Sequence, residues 1–207
     1  MTDEKQSAPP AGKKRPFVDA RPVLDKLARL HPQLFGARFL PLKLGVFEEL
    51  MAAHPGEFTK EELKAALAFH ARSTRYLEAV ASGEQRHGLQ GEPAGAIAPE
   101  HVHHAIMEVF RRRQQRSKQD LRPWVVSRLA AAIDASGLAR EAFVERVNAK
   151  DDETHALLDE AFSALGARNA KREALRRAFQ ASGKGVDEFA QMYGLAPADV
   201  EEAIAQP

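Results

Sequence analysis

The chain has 207 residues, of which 44% are hydrophobic, and a net charge of only +1, which suits one medium domain and a smaller one with ordinary buried cores. It contains no cysteine, which excludes disulfides and cysteine-ligated metal centres. No apolar run approaches the ~20 residues of a membrane span, and the polar N-terminus lacks the apolar segment of a secretory signal, so we expect a cytoplasmic protein without a membrane partner.

Residues 1–16 predict a flexible basic tail, because prolines and a glycine lead into the run Lys13-Lys14-Arg15. Apolar residues at helical spacing then predict a helix that starts near Pro22 and ends at His31-Pro32. A loop-like stretch follows. A second amphipathic run starts at Pro41-Leu42-Lys43-Leu44-Gly45 and continues through Met51, and Pro55-Gly56 breaks it.

The next predicted helix runs from Thr59 to the stop at Ser82-Gly83. Thr59 and Glu62 have the spacing of a capping box, which marks a helix start. Apolar side chains fall on one side of this helix, which predicts a buried face. The opposite, basic side carries Lys60, Lys64, Arg72 and Arg75.

Glycines and prolines divide residues 84–98 into short segments, which predicts a small β-hairpin. Pro99 then opens a helix that ends in a basic cluster at residues 111–118, with five positive charges in eight residues. Such a cluster is typical of a solvated helix face or linker. The alternative is an extension of a nucleic-acid footprint.

Everything after Pro123 predicts helix, with glycines as stops. The predicted segments are 123–135, 139–149, 152–165, 168–181, 185–193 and 197–205. Residues 186–200 have the rhythm of a helix-turn-helix, but the last helix carries Asp199, Glu201 and Glu202 and no Lys or Arg. Phosphate repulsion argues against groove insertion, so we expect an αα-hairpin that packs on its neighbours.

The sequence contains no nucleophile, phosphate-loop or zinc-protease motif. His101 and His104 have a helical spacing that suits a metal, but no third ligand accompanies them. We therefore predict a protein that is not an enzyme, with no catalytic residue, no metal and no cofactor.

Charge is distributed unevenly along the chain. Residues 17–119 hold fifteen basic against twelve acidic residues, whereas residues 120–207 hold eleven against fifteen. Seven of the eight histidines precede residue 105. A polyanionic partner is therefore expected to meet the N-terminal two-thirds of the chain.

Several segments occur in a recognisable order: His31-Pro32 with Phe35, Pro41-Leu42-Lys43-Leu44-Gly45-Val46, Leu63 with Ala66-Leu67, Ser73-Thr74-Arg75-Tyr76-Leu77, residues 83–91, and Pro99-Glu100-His101-Val102 with Ala105. Taken together and in this order, they resemble the ProQ/FinO RNA chaperone domain over about residues 21–118.

This resemblance implies a mainly helical fold with a short β element and a concave basic face. It also implies a bacterial post-transcriptional regulator that binds structured RNA, namely small RNAs and mRNA 3′ ends that form a hairpin with a single-stranded 3′ tail. Together with the patterns above, it predicts a ProQ/FinO-like domain at 17–119 between the flexible basic tail at 1–16 and an accessory all-α helical unit at 120–207, which the resemblance does not cover. The alternative function is a protein-interaction adaptor that binds a protein partner through residues 120–207. The net charge of that unit, −4, predicts that deleting it leaves RNA affinity unchanged or raises it.

The resemblance also indicates which residues contact RNA. Lys60 and Lys64, one turn apart, can follow the phosphates of one strand. Arg75 offers a charge-assisted donor, and Tyr76 beside it can stack on the RNA end or form a hydrogen bond with it. Taken singly, lysines of this kind are more often a solvated helix face, the tyrosine a packing residue and the arginine a salt-bridge partner.

Three further positions complete the predicted pocket. Lys43 would join the N–H groups of the following helix start to hold a terminal phosphate or ribose. Arg86 would close the pocket, and Gly91 would shape the turn behind it. Where family members often have a third basic residue on the helix face, this chain has Ala68, and Arg72 partly replaces it. Other departures from the family pattern, with consequences for affinity, are Gly88, Ile106 and Met107.

Overall fold

The computed structural model describes residues 19–205, so the predicted basic tail at residues 1–16 lies outside the described part. Within that part the chain is mainly helical, as predicted. The eleven helices are α1 (Arg21–Leu30), α2 (Pro32–Phe35), α3 (Val46–Ala53), α4 (Lys60–Ala71), α5 (Thr74–Ala81), α6 (Pro99–Gln114), α7 (Arg122–Ser136), α8 (Arg140–Val147), α9 (Asp152–Ser182), α10 (Val186–Tyr193) and α11 (Pro197–Ala205). None of them combines the length and apolar character that a membrane span requires.

Several helix ends follow from the sequence. The Glu62 backbone N–H donates to the Thr59 hydroxyl at 3.2 Å, and the Thr59 N–H donates to the Glu62 carboxylate at 3.1 Å, which confirms the capping box. Gly137 and Gly194 end their helices in the left-handed conformation, with φ of 62° and 65°. Glycine is favoured there because it has no Cβ to clash.

The single helix predicted for residues 60–81 is wrong, because the chain breaks it after Arg72. Ser73 has an extended backbone (φ −67°, ψ 145°), and its hydroxyl accepts the Tyr76 N–H at 3.2 Å. Serine is a strong N-cap, so it starts a new helix more readily than it continues the old one. The predicted basic face is therefore divided between α4 and α5, with Arg75 on the second.

The β-hairpin predicted between α5 and α6 does not form as paired strands within the described residues. Only isolated bridges occur, one between Leu42 and His87 and one between His87 and Pro93. Proline lacks the N–H that a ladder needs, and Gly91 and Gly95 have φ of 79° and 99°, so the chain turns too often to extend.

The two helices predicted for residues 152–165 and 168–181 are one helix, α9, of 31 residues. Gly166 does not end it. A glycine inside a helix costs only about 1 kcal/mol relative to alanine, and the alanines around it are strong helix formers. The cost is therefore too small to stop a helix that is anchored at both ends.

One continuous hydrophobic core extends from Leu27 in α1 to Ala161 in α9, and it includes the fully buried Ile106 and Leu129. Helix α6 packs against both α5 and α7, so this core crosses residue 119 without a gap. A second, small cluster near the end of the chain contains Phe189 and its neighbours. The division of the chain into domains at residue 119 stays a prediction.

Candidate nucleic-acid interface

The loop of residues 37–43, between α2 and α3, is the centre of the candidate site. The Leu42 backbone N–H donates to the Tyr76 hydroxyl at 3.0 Å, and the Leu42 carbonyl accepts from Arg86 Nη1 at 2.9 Å. The Lys43 N–H donates to the His87 carbonyl at 2.9 Å. The loop therefore brings Lys43, Tyr76 and Arg86, which are distant in sequence, to one place.

Tyr76 has its ring in the core. It is 9% exposed, and its ring centroid lies 4.9 Å from that of His70. Burial raises the pKa of the phenol, so the hydroxyl stays protonated at neutral pH. Since that oxygen already accepts the Leu42 N–H, its own hydrogen is the group it can donate to a ligand. Of the two roles predicted for Tyr76, this burial favours the hydrogen bond over base stacking.

Arg75 is exposed but held in place. Its guanidinium donates to the Ala37 carbonyl, and its Cζ lies 4.4 Å from the centroid of the Phe39 ring. A guanidinium carries five N–H donors, and one of them is used here, so the others can meet a phosphate. Phe39, which the sequence does not single out, thus orients the guanidinium of Arg75.

Arg86 extends the site to the start of α6. Its Nη2 lies 3.3 Å from Nδ1 of His101, an exposed side chain in the first turn of α6. The sequence assigns His101 no part in the site, because the contact depends on how the loop of residues 84–98 folds back. His101 is therefore a further candidate for contact with a phosphate or base edge.

Lys43 is half-buried and forms an ion pair with Glu49. The hydrogen bond that the ammonium donates to the Glu49 carboxylate raises the pKa of Lys43, so the side chain stays charged. Glu48 and Glu49 both lie in the first turn of α3, where they oppose an anion. A phosphate at this helix start would have to displace Glu49 from Lys43.

The basic face of α4 is open to solvent. Lys60 and Lys64 are exposed one turn apart, and Ala68 interrupts the row before the exposed Arg72. Beside Arg72, the ring of Phe69 is 54% exposed. The sequence analysis does not name Phe69 as a site residue. The signal that could have identified it is a large aromatic residue on the polar side of a predicted helix.

Gly91 lies away from the Arg86 contacts, in a tight turn next to α2. Its φ is 79°, and a Cβ there would overlap the side-chain oxygen of Gln33. The carbonyl of Leu89 in the same turn lies 3.0 Å from Nδ1 of His31. At Gly88 a Cβ would overlap the Glu92 carboxylate, so an acidic residue there would have to displace Glu92.

The arginines at the end of α6 contact other helices. Arg112 Nη1 donates to the Arg72 carbonyl at 2.8 Å and to the Thr74 hydroxyl at 3.2 Å, so it caps α4 and holds the break before α5. Arg113 pairs with Glu78 at 2.7 Å. These contacts favour a structural role for this part of the cluster. Ile106 and Met107, on the same helix, are core residues, which explains why they are apolar here.

Comparison with known proteins gives consistent matches. A family model described as the ProQ/FINO family matches residues 17–122. The chain is 37% identical over 93 residues to a protein of Shewanella baltica named RNA chaperone ProQ, covering 43% of this chain and 44% of that protein. It is 34% identical over 106 residues to the protein of the same name from Shewanella oneidensis, covering 49% of each. The chain thus spans about half the length of the curated relatives it matches.

Two solved structures are also similar. One is a crystal structure of a FinO-like RNA chaperone from Neisseria meningitidis MC58, at 31% identity and a TM-score of 0.38, covering 42% of this chain and 88% of that one. The other is a solution structure of a ProQ homolog from Legionella pneumophila, at 25% identity and a TM-score of 0.39, covering 57% and 99%. The family match at residues 17–122 takes in more than half of the 207 residues. The chain belongs to the ProQ/FinO family.

Proposed function

We propose that this protein binds structured RNA in the cytoplasm as an RNA chaperone and post-transcriptional regulator, without catalysing a covalent reaction. Its preferred ligand is a terminator-like hairpin with a single-stranded 3′ tail, as in small RNAs and mRNA 3′ ends. The observation that carries the proposal is the convergence of Arg75, the Tyr76 hydroxyl and Arg86 on the loop of residues 37–43. Family membership favours RNA over the protein-interaction adaptor.

The loop of residues 37–43 is suited to the 3′ end of the RNA. Arg75 and Arg86 bring two guanidiniums to this loop, and each already donates to a backbone carbonyl, so its orientation is fixed before RNA arrives. The Tyr76 hydroxyl supplies a neutral donor for a phosphate or ribose oxygen of that nucleotide. A preorganised set of donors binds a terminal nucleotide with little ordering cost.

The exposed face of α4 is suited to the stem. A-form RNA hides its base edges in a deep, narrow groove, so a duplex is recognised by its shape and phosphates. Lys60, Lys64 and Arg72 supply separated positive charges for those phosphates. The RNA-binding unit would be residues 17–119 and the accessory unit residues 120–207.

Hairpins with and without the 3′ tail test this assignment on the full chain. Arg86→Ala should reduce affinity for the tailed hairpin much more than for the blunt one, because Arg86 acts on the end. Lys60→Ala with Lys64→Ala should weaken both equally and make the binding less sensitive to salt. Arg29→Ala, an exposed arginine on α1, is the matched control. Equal losses for Arg86→Ala on both hairpins would refute the end pocket.

A further inference from the structure

Helix α9 connects two separate hydrophobic clusters. Its first half buries Leu157 and Ala161 in the main core, and its last turns pack Leu175 and Phe179 against α10. Between these two regions, every residue from 166 to 171 is exposed. The middle of the helix therefore contributes to neither core and presents its side chains to solvent.

A concentrated positive charge begins in this middle stretch and continues into the following turns of α9. Five basic residues and one acid, Glu173, occupy ten positions within a half of the chain whose net charge is negative. At 1.5 Å per residue, Arg168 and Arg176 lie about 12 Å apart along the helix axis. We call this stretch the α9 basic segment; its cations are Arg168, Lys171, Arg172, Arg176 and Arg177.

The ion pairs of the α9 basic segment do not prevent it from binding an anion. Arg168 pairs with Asp134 at 2.6 Å, and Arg176 and Arg177 both pair with Glu173, at 2.6 and 2.7 Å. All of these carboxylates are at least one-third exposed. Exposed ion pairs contribute little free energy, so a phosphate can replace the carboxylate with little loss.

The side chains between the cations favour RNA over a protein partner. Ala170 and Ala174 are exposed and small, and the one large apolar side chain among the cations, Leu175, is partly buried against the second cluster. A stable protein interface needs buried aromatic or aliphatic anchors. A phosphate backbone needs cations and close approach, and both are available here.

The α9 basic segment also begins at the same end of the helix bundle as the loop site. The first turn of α6, where His101 lies beside Arg86, lines one groove together with the last turn of α7. Asp134 in that last turn holds Arg168. The loop site and the start of the α9 basic segment therefore lie toward the same end of these helices.

We propose that the α9 basic segment is a second RNA-binding surface, which contacts the phosphate backbone of a duplex stem whose 3′ end occupies the loop of residues 37–43. This inference rests on the proposed function. It reverses the expectation from net charge that deleting residues 120–207 leaves RNA affinity unchanged or raises it, because the acidic residues of that half lie mostly outside the segment.

The test compares two hairpins with the same 3′ tail, one with a short stem and one with a stem of about 16 base pairs, the span of a typical double-stranded RNA-binding domain. In the full chain, Lys171→Ala with Arg177→Ala should lower affinity for the long stem about tenfold at 0.1 M salt and reduce the salt slope by roughly 1.5. Affinity for the short stem should not change, which also shows that the variant is folded.

Two further variants make the result specific. Arg146→Ala with Lys150→Ala removes the same charge from exposed positions outside the segment, and it should leave long-stem affinity unchanged. Glu173→Gln releases two arginines and should raise long-stem affinity two- to threefold, about the effect of strengthening one phosphate contact. If Lys171→Ala with Arg177→Ala lowers long-stem affinity no more than Arg146→Ala with Lys150→Ala does, the proposal is overturned. If the wild type binds neither hairpin, the proposed function itself fails.

Discussion

Acidification should destabilise this protein through two buried histidines. His70 lies among the rings of Phe35, Phe39 and Tyr76, and burial, with a smaller effect of the Arg75 charge, lowers its pKa to about 4. Burial likewise lowers the pKa of His103 in α6 to about 4. In both side chains Nε2 is buried without a hydrogen-bond partner, so no hydrogen bond at that nitrogen compensates protonation inside the fold.

The sign and size of this change in stability follow from the linkage between proton binding and folding. The unfolded chain, with a histidine pKa near 6.5, binds more protons than the folded chain, so stability is complete above pH 6.5 and is lost as pH falls toward 4. At pH 5 each histidine destabilises the fold by about 2 kcal/mol, and the pair by about 4 kcal/mol. The urea midpoint should then fall by about 2 M between pH 7.5 and pH 5.

The assay is urea unfolding at both pH values for the wild type and for His70→Phe with His103→Leu. The variant should lose most of the pH dependence, because it lacks both buried imidazoles. The carboxylates that also titrate are common to both proteins, so their contribution cancels in the comparison. His104→Gln, an exposed neighbour on α6, should behave like the wild type. If the double variant keeps the full pH dependence, the buried histidines are not its source and the reasoning is refuted.

Three structural details give further predictions. Tyr76→Phe leaves a buried backbone N–H without its acceptor and should destabilise the fold by about 1–3 kcal/mol in thermal unfolding, with weaker binding of the tailed hairpin. Gly91→Ala should destabilise by about 1–2 kcal/mol in urea because its φ is positive, whereas Gly166→Ala, in open helical surroundings, should stabilise by up to about 1 kcal/mol. Arg112→Ala should lower stability by about 1–3 kcal/mol, and the exposed Arg116→Ala by less than about 0.5 kcal/mol; equal effects would contradict the capping role.

Local signals in the sequence were sufficient for most of the helices. The pair Thr59 and Glu62 defines a helix start through contacts three residues apart, and Gly137 and Gly194 end helices through their own backbone freedom. Competition between local signals is harder to judge. Ser73 ends the helical pattern around it, whereas Gly166 does not end the helix in which it lies. In both cases the free-energy difference between continuing and ending the helix is about 1 kcal/mol, so the sequence pattern alone does not decide it.

The site was predictable as a set of residues through the family resemblance, but its geometry was not. The contacts of Arg86 with the Leu42 carbonyl and with His101 join three segments, and they exist only after the loop of residues 84–98 has folded over. The burial of Tyr76 likewise depends on packing against His70. Such long-range contacts leave no periodic trace in a sequence.

The continuous core has a consequence for how the protein responds to ligands and to truncation. Arg128 of α7 donates to the carbonyl of Ala81 at 2.8 Å, and Val109 and Phe110 of α6 are buried in the same core as Leu129. Cutting the chain at residue 119 would uncover this apolar surface, so an isolated N-terminal fragment should self-associate. In the intact chain, the shared core should make the two regions unfold cooperatively. RNA bound at the loop should then protect the backbone amides of α7 from hydrogen exchange without touching them.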